Sequence, residues 1–312
     1  MKRGSILAPA PVLAGLLLLA PGAALAHGGH VHPADPPGWT WDPWITAPLL
    51  LSALLFAAGW ARLRARSTTG ATALRRRGWL FAAGWLVLAG ALVSPLHEAG
   101  ERSFTAHMLE HELLMLVAAP LLVLAEPLAI MLWAFPATAR AAIGGAVAWR
   151  PVRAVWRRLT GAVTATLLQA AALWLWHMPA LFDRALAGEG WHMLQHLCFI
   201  VTALLFWTAM LGRHGSRAAS HHRRAVAALC LFATSVISGA LGALMAFSES
   251  PWYRGYAALG MAPFGLTPAE DQQLAGLLMW IPGGLVHAGA ALVIARTLVA
   301  PGPARQAVTR AG

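Results

Sequence analysis

The chain has 312 residues, of which 58% are hydrophobic and only 11% are charged, and its mean hydropathy is +0.61. Soluble domains carry about 25% charged residues, so this composition indicates a membrane protein. The formal net charge of +11 does not indicate nucleic-acid binding, because the basic residues are spread over short loops rather than forming a stripe with interleaved aromatics. The two cysteines, Cys198 and Cys230, lie in separate apolar segments, which argues against a disulfide framework or a thiolate cluster.

Residues 1–26 have the pattern of a secretory signal peptide, with two basic residues, an apolar core and a terminal Ala-Leu-Ala cleavage site. Cleavage there would leave a periplasmic segment over residues 27–44 whose first residue is a histidine. A free amine together with neighbouring imidazoles can chelate a metal. The candidate ligands of this N-terminal site are His27, His30 and His32. An uncleaved signal anchor that adds one helix is the alternative.

Beyond the signal, the sequence predicts an all-α fold, a polytopic membrane bundle of seven transmembrane helices within residues 45–300, followed by a cytoplasmic tail over 301–312. Each span is long enough, at 1.5 Å per residue, to cross roughly 30 Å of hydrocarbon. The predicted spans cover residues 45–63, 79–95, 105–125, 161–178, 192–211, 225–247 and 273–297. A further apolar stretch, 127–135, is too short to cross, and we expect it to lie at the interface or to fold back.

The distribution of arginine predicts how the spans are oriented. The segments 62–78, 136–160, 212–224 and 296–312 hold six, five, four and three arginines, whereas the alternate loops hold one each. The positive-inside rule therefore places the arginine-rich loops in the cytoplasm and the mature N-terminus on the outer side of the membrane. The outer ends of the second to fifth spans, where histidines are concentrated, would then face the periplasm.

A repeated pentapeptide is the most informative functional feature. HMLEH at 107–111 and HMLQH at 192–196 each place histidines at i and i+4, so a helix stacks both rings on one face. Imidazole is costly to place in hydrocarbon, so packing alone does not explain these histidines. If the third and fifth spans touch, four imidazoles meet in a cavity open to the exterior. The predicted metal ligands are His107, His111, His192 and His196; their alternative role is as hydrogen-bonded residues at the outer rim.

Other polar residues in the spans could assist such a site. His177 stands where a helix must end before a proline, and it could be a ligand, a gate or an interfacial cap. His287 lies deep in the last span, where an ionisable residue is a functional candidate, although it could also be a neutral histidine bonded to a carbonyl. Candidates for orienting the imidazole N–H groups are Glu110, Glu112 and Gln195. Further auxiliary candidates are His97, Met115 and Met279.

The ligand types favour copper but leave other interpretations open. Neutral imidazole suits copper, zinc, iron or nickel, and the thioether of Met115 favours Cu(I). HMLEH also matches the H-x-x-E-H zinc-protease pattern with Glu110 as general base, but the second copy has Gln195 there and both segments enter lipid. A haem-bearing electron-transfer protein could use His111 and His196 as axial ligands. A copper transporter and an interaction scaffold with structural histidines are the remaining alternatives.

At these residues the chain resembles the CtaG family of assembly factors for caa-type cytochrome c oxidase. The resembling stretches are 94–97, 107–120, 176–179, 192–196 and 271–283. The resemblance implies a seven-helix inner-membrane protein needed to make active oxidase, by supplying or guarding copper for the oxidase subunits rather than by catalysing a reaction. We expect its partners to be oxidase subunits, the lipid bilayer and periplasmic copper chaperones.

Overall fold

The computed structural model describes residues 36–66, 70–212 and 217–299. Within these ranges the fold is all-helical and contains no β-strand, only one isolated bridge between Ala262 and Leu266. The predicted signal peptide, the candidate N-terminal metal site and the C-terminal tail lie outside the described residues.

The α-helices follow one another with short connections. In chain order they are α1 (Pro43–Arg66), α2 (Ala71–Val93), α3 (Pro95–Arg102), α4 (Phe104–Glu112), α5 (Ala119–Ala125), α6 (Pro127–Met131), α7 (Ala137–Ala148), α8 (Arg150–Leu159), α9 (Ala162–Trp176), α10 (Pro179–Ala187), α11 (Glu189–Leu211), α12 (Arg217–Ala246), α13 (Arg254–Leu259) and α14 (Pro268–Val299). A π-helical segment, Leu113–Ala118, joins α4 to α5, and 3₁₀ turns occur at Leu132–Ala134 and Pro263–Gly265.

Six helical stretches among the described residues are long and apolar enough to cross a membrane: α1, α2, the continuous stretch from α4 to α5, α11, α12 and α14. The predicted fourth span, 161–178, differs. Its helix α9 has 15 residues, about 22 Å, which is shorter than the hydrocarbon core. Helix α8 precedes it at a 65° bend, and the pair makes a seventh span only if both helices count as one crossing. Four arginines on α8 explain the bend, because they disfavour a straight continuation into hydrocarbon.

The alternating directions of the long helices gather the histidine-bearing segments at one end of the bundle. The end of α2, the start of α4, the end of α9 and the starts of α11 and α14 all lie there, and the short helices α3, α10 and α13 connect them. We call this the histidine end. The arginine-rich connections, including α8, lie at the opposite end, so the two ends differ as the charge pattern predicts. Which membrane face each end meets stays a prediction.

Helices α12 and α14 pack backbone to backbone beneath the histidine end. A Cβ atom added to Gly276 would lie 2.5 Å from the Gly242 carbonyl oxygen, and one added to Gly242 would lie 2.8 Å from the Gly276 carbonyl oxygen. Small residues at such crossings let helices in membranes approach closely and gain van der Waals contact. This contact fixes the last helix, whose first turn anchors the functional site.

The short apolar stretch predicted at 127–135 folds back against the first span. Glu126 has a φ of 47°, which ends α5 and reverses the chain into α6. The Ile130 carbonyl then lies against Gly59 of α1, and Arg62 donates a 3.2 Å hydrogen bond to the Trp133 carbonyl. Within the described residues this segment therefore packs on α1 and does not cross the bundle.

Candidate metal centre

The first turn of α4, which carries the first histidine pair, is anchored by the last span. Ser103 begins the helix as its N-cap, accepting a hydrogen bond from the Ala106 N–H. The Asp271 carboxylate of α14 accepts bonds from the Ser103 hydroxyl at 2.9 Å, the Phe104 N–H at 2.6 Å and the Thr105 N–H at 3.2 Å. A carboxylate at a helix N-terminus satisfies unpaired N–H groups and interacts favourably with the helix dipole. Asp271 thus sets the position of the helix that presents His107.

Helices α4 and α11 bring their histidine pairs into contact. Ring centroids are 5.1 Å apart between His107 and His192 and 5.0 Å apart between His111 and His196. One ring nitrogen from each of His107, His192 and His196 lies within 4.8 Å of the other two. His192 is half-buried, whereas the other three rings are buried, so the cluster has one side toward the surface of the histidine end. We call these four residues the histidine cluster.

Tyr256 of α13 fixes the tautomer of His107. Its hydroxyl donates a 2.6 Å hydrogen bond to the Gly100 carbonyl, which can only accept, so its single proton is committed there. The His107 Nδ1–H then donates to the phenol oxygen at 3.1 Å. In the neutral ring this leaves the lone pair on Nε2. A hydrogen bond to the far nitrogen is the usual means by which proteins orient a metal-binding imidazole.

Glu110 links His97 of α3 to the cluster. The His97 Nδ1–H donates to Glu110 Oε1 at 2.8 Å, and His196 Nε2 lies 3.7 Å from the same oxygen. Burial lowers the pKa of His97, but the hydrogen bond and charge of Glu110 outweigh burial, so its pKa is raised above the ordinary value. His97, Glu110 and His196 form a second group whose ligand atoms lie within 4.8 Å of one another. Because both groups use His196, they overlap and form one centre.

Several buried nitrogens of the cluster have no hydrogen-bond partner among the described residues. They are both ring nitrogens of His111 and the Nε2 atoms of His107, His192 and His196. A buried polar atom left without a partner costs about 1–3 kcal/mol. A bound cation would accept several of these lone pairs at once. The unpaired nitrogens therefore fit a metal ion better than a purely structural role.

His177 and Met108 form a nitrogen–sulfur pair next to His111. The His177 Nδ1–H donates to the Leu173 carbonyl at 2.6 Å, so the neutral ring has its lone pair on Nε2. That lone pair lies 3.4 Å from the Met108 sulfur. With two acceptors facing each other and no proton between them, the pair suits a soft cation. The His111 and His177 ring centroids are 6.5 Å apart.

A family profile described as cytochrome c oxidase caa3 assembly factor matches residues 54–300, which include the whole histidine cluster. The chain belongs to this family. The resemblance predicted from the sequence motifs is thus confirmed. Two uncharacterized proteins, one of Mycobacterium bovis and one of Mycobacterium tuberculosis, are each 28% identical to this chain over 247 residues. The match covers 78% of this chain and 36% of each relative. No solved structure matches the chain.

In this family member, not every predicted site residue joins the cluster. His287, Met115 and Met279 line a separate, deeper cavity, and Glu112 lines it too instead of orienting a cluster imidazole. Met115 was expected on the His107 face because it stands at i+8 in an α-helix. It lies instead within the π-helical segment, whose wider turn changes the angular position of later side chains. Gln195 is fully buried on α11 between the two cluster histidines of that helix.

Three contributors to the site were not identified from the sequence. Met108 stands inside the HMLEH pentapeptide, where it passes for ordinary packing between two histidines. Tyr256 and Asp271 lie in the segment around α13 and α14, far along the chain from α4. The one usable signal was Asp271, an acidic residue at the start of an apolar span, because such a residue needs hydrogen-bond partners. The sequence did not reveal which residues those partners are.

Proposed function

We propose that this family member binds copper in the histidine cluster and supplies or guards it for cytochrome c oxidase subunits during assembly. The observation that supports the proposal best is the convergence of ring nitrogens from His107, His192 and His196 within 4.8 Å of one another. Three imidazoles at that spacing can bind one ion, and the unpaired nitrogens nearby offer further ligands.

Copper is favoured over zinc because a thioether belongs to the same site. Neutral imidazole alone suits several metals, but the Met108 sulfur beside His177 is a soft ligand that selects Cu(I). As cargo, copper would first meet the half-buried His192 and then exchange onto the buried nitrogens of His107 and His196. His111, the cluster residue that contacts His177, would let the ion move toward the His177–Met108 pair by replacing one ligand at a time.

The rest of the proposal concerns place and partners. The charge pattern favours the cytoplasmic membrane of a bacterium with the histidine end in the periplasm. There the cluster would receive copper from periplasmic chaperones and pass it to oxidase subunits. Membership of an assembly-factor family supports a non-enzymatic role. Glu110, the general base of the alternative zinc-protease interpretation, is fully buried and bonded to His97, which favours a structural and orienting role.

Haem is the less favoured cargo or cofactor. The His111 and His196 rings are 5.0 Å apart with their planes at 84°, and His111 also contacts Phe199 at 4.6 Å. A haem macrocycle needs a wide slot between its two axial ligands, and this packing favours a single ion instead. A Soret band in protein purified after haem-replete expression would count against this preference.

The direct test measures copper on the purified protein after substitution of the four cluster histidines by alanine. We expect the copper occupancy of the cluster itself to fall at least tenfold in this variant, which is seen as the loss of one copper ion per protein. The matched control is the His221→Ala and His222→Ala double variant, because these exposed histidines stand at the start of α12, away from the cluster. Unchanged copper in the cluster variant would refute the proposed site. In cells, the same variant should lower the copper content and activity of the oxidase while its apoprotein is still made.

A further inference from the structure

A second cavity lies deeper in the bundle, about one helical turn beyond the histidine cluster. It is enclosed by α4, the π-helical segment, α9, α12 and α14, and its chemistry-bearing lining residues are Glu112, Met115, Gln169, Met279 and His287. Its volume is about 20 Å³, which is room for one water molecule or one metal ion. A haem or an organic substrate is therefore too large for it.

Two polar atoms in the cavity wall lack partners among the described residues. They are Glu112 Oε2 and Gln169 Oε1, and both are buried. The neighbouring hydroxyls of Thr234 and Ser238 are already committed, each donating to a carbonyl one turn back on α12 at 2.9 and 2.8 Å. At this depth an unpaired carboxyl group is expensive, and such groups in membrane helices mark ion paths. A bound ligand that these oxygen atoms can coordinate would therefore stabilise the cavity.

The other side chains of the cavity determine which kind of ion it can bind. His287 Nδ1–H donates to the Gly283 carbonyl at 2.8 Å, which leaves the lone pair of the neutral ring on Nε2. The Met115 sulfur accepts a bond from Gln169 at 3.3 Å, so sulfur, amide and imidazole lie around one small space. Two thioethers and an imidazole are soft ligands, and soft ligands select Cu(I). The Glu112 carboxylate can balance its single positive charge.

We propose that this cavity is a second copper site, separate from the histidine cluster, in which Met115, Met279 and His287 bind one Cu(I) ion and Glu112 balances its charge. The proposal rests on the proposed function for the source of the metal, since copper would reach the cavity from the cluster. His111 and Met115 are four residues apart, so a transferring ion moves about one turn along the same helix. The cluster receives the ion, and the cavity stores it in reduced form away from water.

The test uses the full-length protein loaded anaerobically with Cu(I) and examined by X-ray absorption at the copper edge. All samples carry Met108→Leu, which removes the sulfur near the cluster. In this background we expect sulfur scattering from the cavity copper. Adding Met115→Leu and Met279→Leu should abolish it and lower the bound copper by one ion per protein. The matched control adds Met210→Leu, a buried methionine on α11 that does not line the cavity, and should keep both signals.

The outcomes separate this proposal from the first. Sulfur scattering that is absent in the Met108→Leu background, or that persists in the triple variant, overturns the second site. If the triple variant does not fold, Met279→Leu alone should halve the number of sulfur ligands, and an unchanged number overturns the proposal equally. In the cluster variant with four alanines, sulfur-bound copper should remain. Its presence together with unchanged total copper would refute the cluster and leave the cavity site standing.

Discussion

Removal of the Asp271 carboxylate tests whether the last helix positions the first histidine pair. Asp271→Ala deletes three acceptor contacts to the start of α4, two of them at 2.6 and 2.9 Å. Hydrogen bonds to a charged group contribute about 1.5–3 kcal/mol each, so the two short contacts give about 3–6 kcal/mol. Asp271→Asn keeps one oxygen acceptor but loses the second oxygen and the charge, and we expect about half that loss of unfolding free energy.

The free energy of unfolding in detergent, followed by circular dichroism during a denaturant titration, measures this effect. Copper affinity should fall in parallel, because the frayed turn no longer fixes His107. The control is Glu249→Gln, which changes an exposed carboxylate at the same end of the bundle. Surface substitutions change the free energy of unfolding by at most about 0.5 kcal/mol. If the unfolding free energies of Asp271→Ala and the control differ by no more than that, Asp271 does not anchor α4.

Three further predictions concern other contacts. Tyr256→Phe removes the phenol that holds His107, and it should weaken copper binding 10–100-fold, as measured by chelator competition. It should also lower the free energy of unfolding by about 1–3 kcal/mol, because the Gly100 carbonyl loses its donor. Met108→Leu removes the soft sulfur that faces His177, so it should weaken Cu(I) binding in the same competition assay and leave Zn(II) binding unchanged. Gly276→Ala should lower the free energy of unfolding by about 1–3 kcal/mol, because the added methyl group overpacks against α12. Gly289→Ala, which faces open space, should leave it unchanged, and equal unfolding free energies for the two variants would contradict the close crossing.

Hydropathy and charge were enough to predict most of the fold. Apolar length predicts each long helix, and the arginine bias predicts the contrast between the two ends. The predicted fourth span, 161–178, coincides with α9, but apolar composition did not reveal that this helix is too short to cross by itself or that α8 adjoins it at an angle. The 65° bend between α8 and α9 arises from the break at Thr160–Gly161 and from arginines that stay out of hydrocarbon.

The candidate site was predictable only where it depends on helical periodicity. Spacing at i and i+4 predicts that His107 and His111 share a face, as do His192 and His196. That the two faces meet depends on packing between helices about 85 residues apart in the chain, which no local pattern contains. The same holds for Asp271, whose partner Ser103 is 168 residues away. Met115 was misplaced because its sequence position does not reveal the π-helical turn.

The glycine crossing of α12 and α14 has a mechanical consequence. With the two backbones in contact at Gly242 and Gly276, the pair forms one stiff unit, and the loop between them carries Tyr256 while α14 carries Asp271. A protein that binds to that loop would displace Tyr256 and Asp271 together. Such a displacement would weaken the hydrogen bonds to the start of α4 and the hydrogen bond of His107 at the same time.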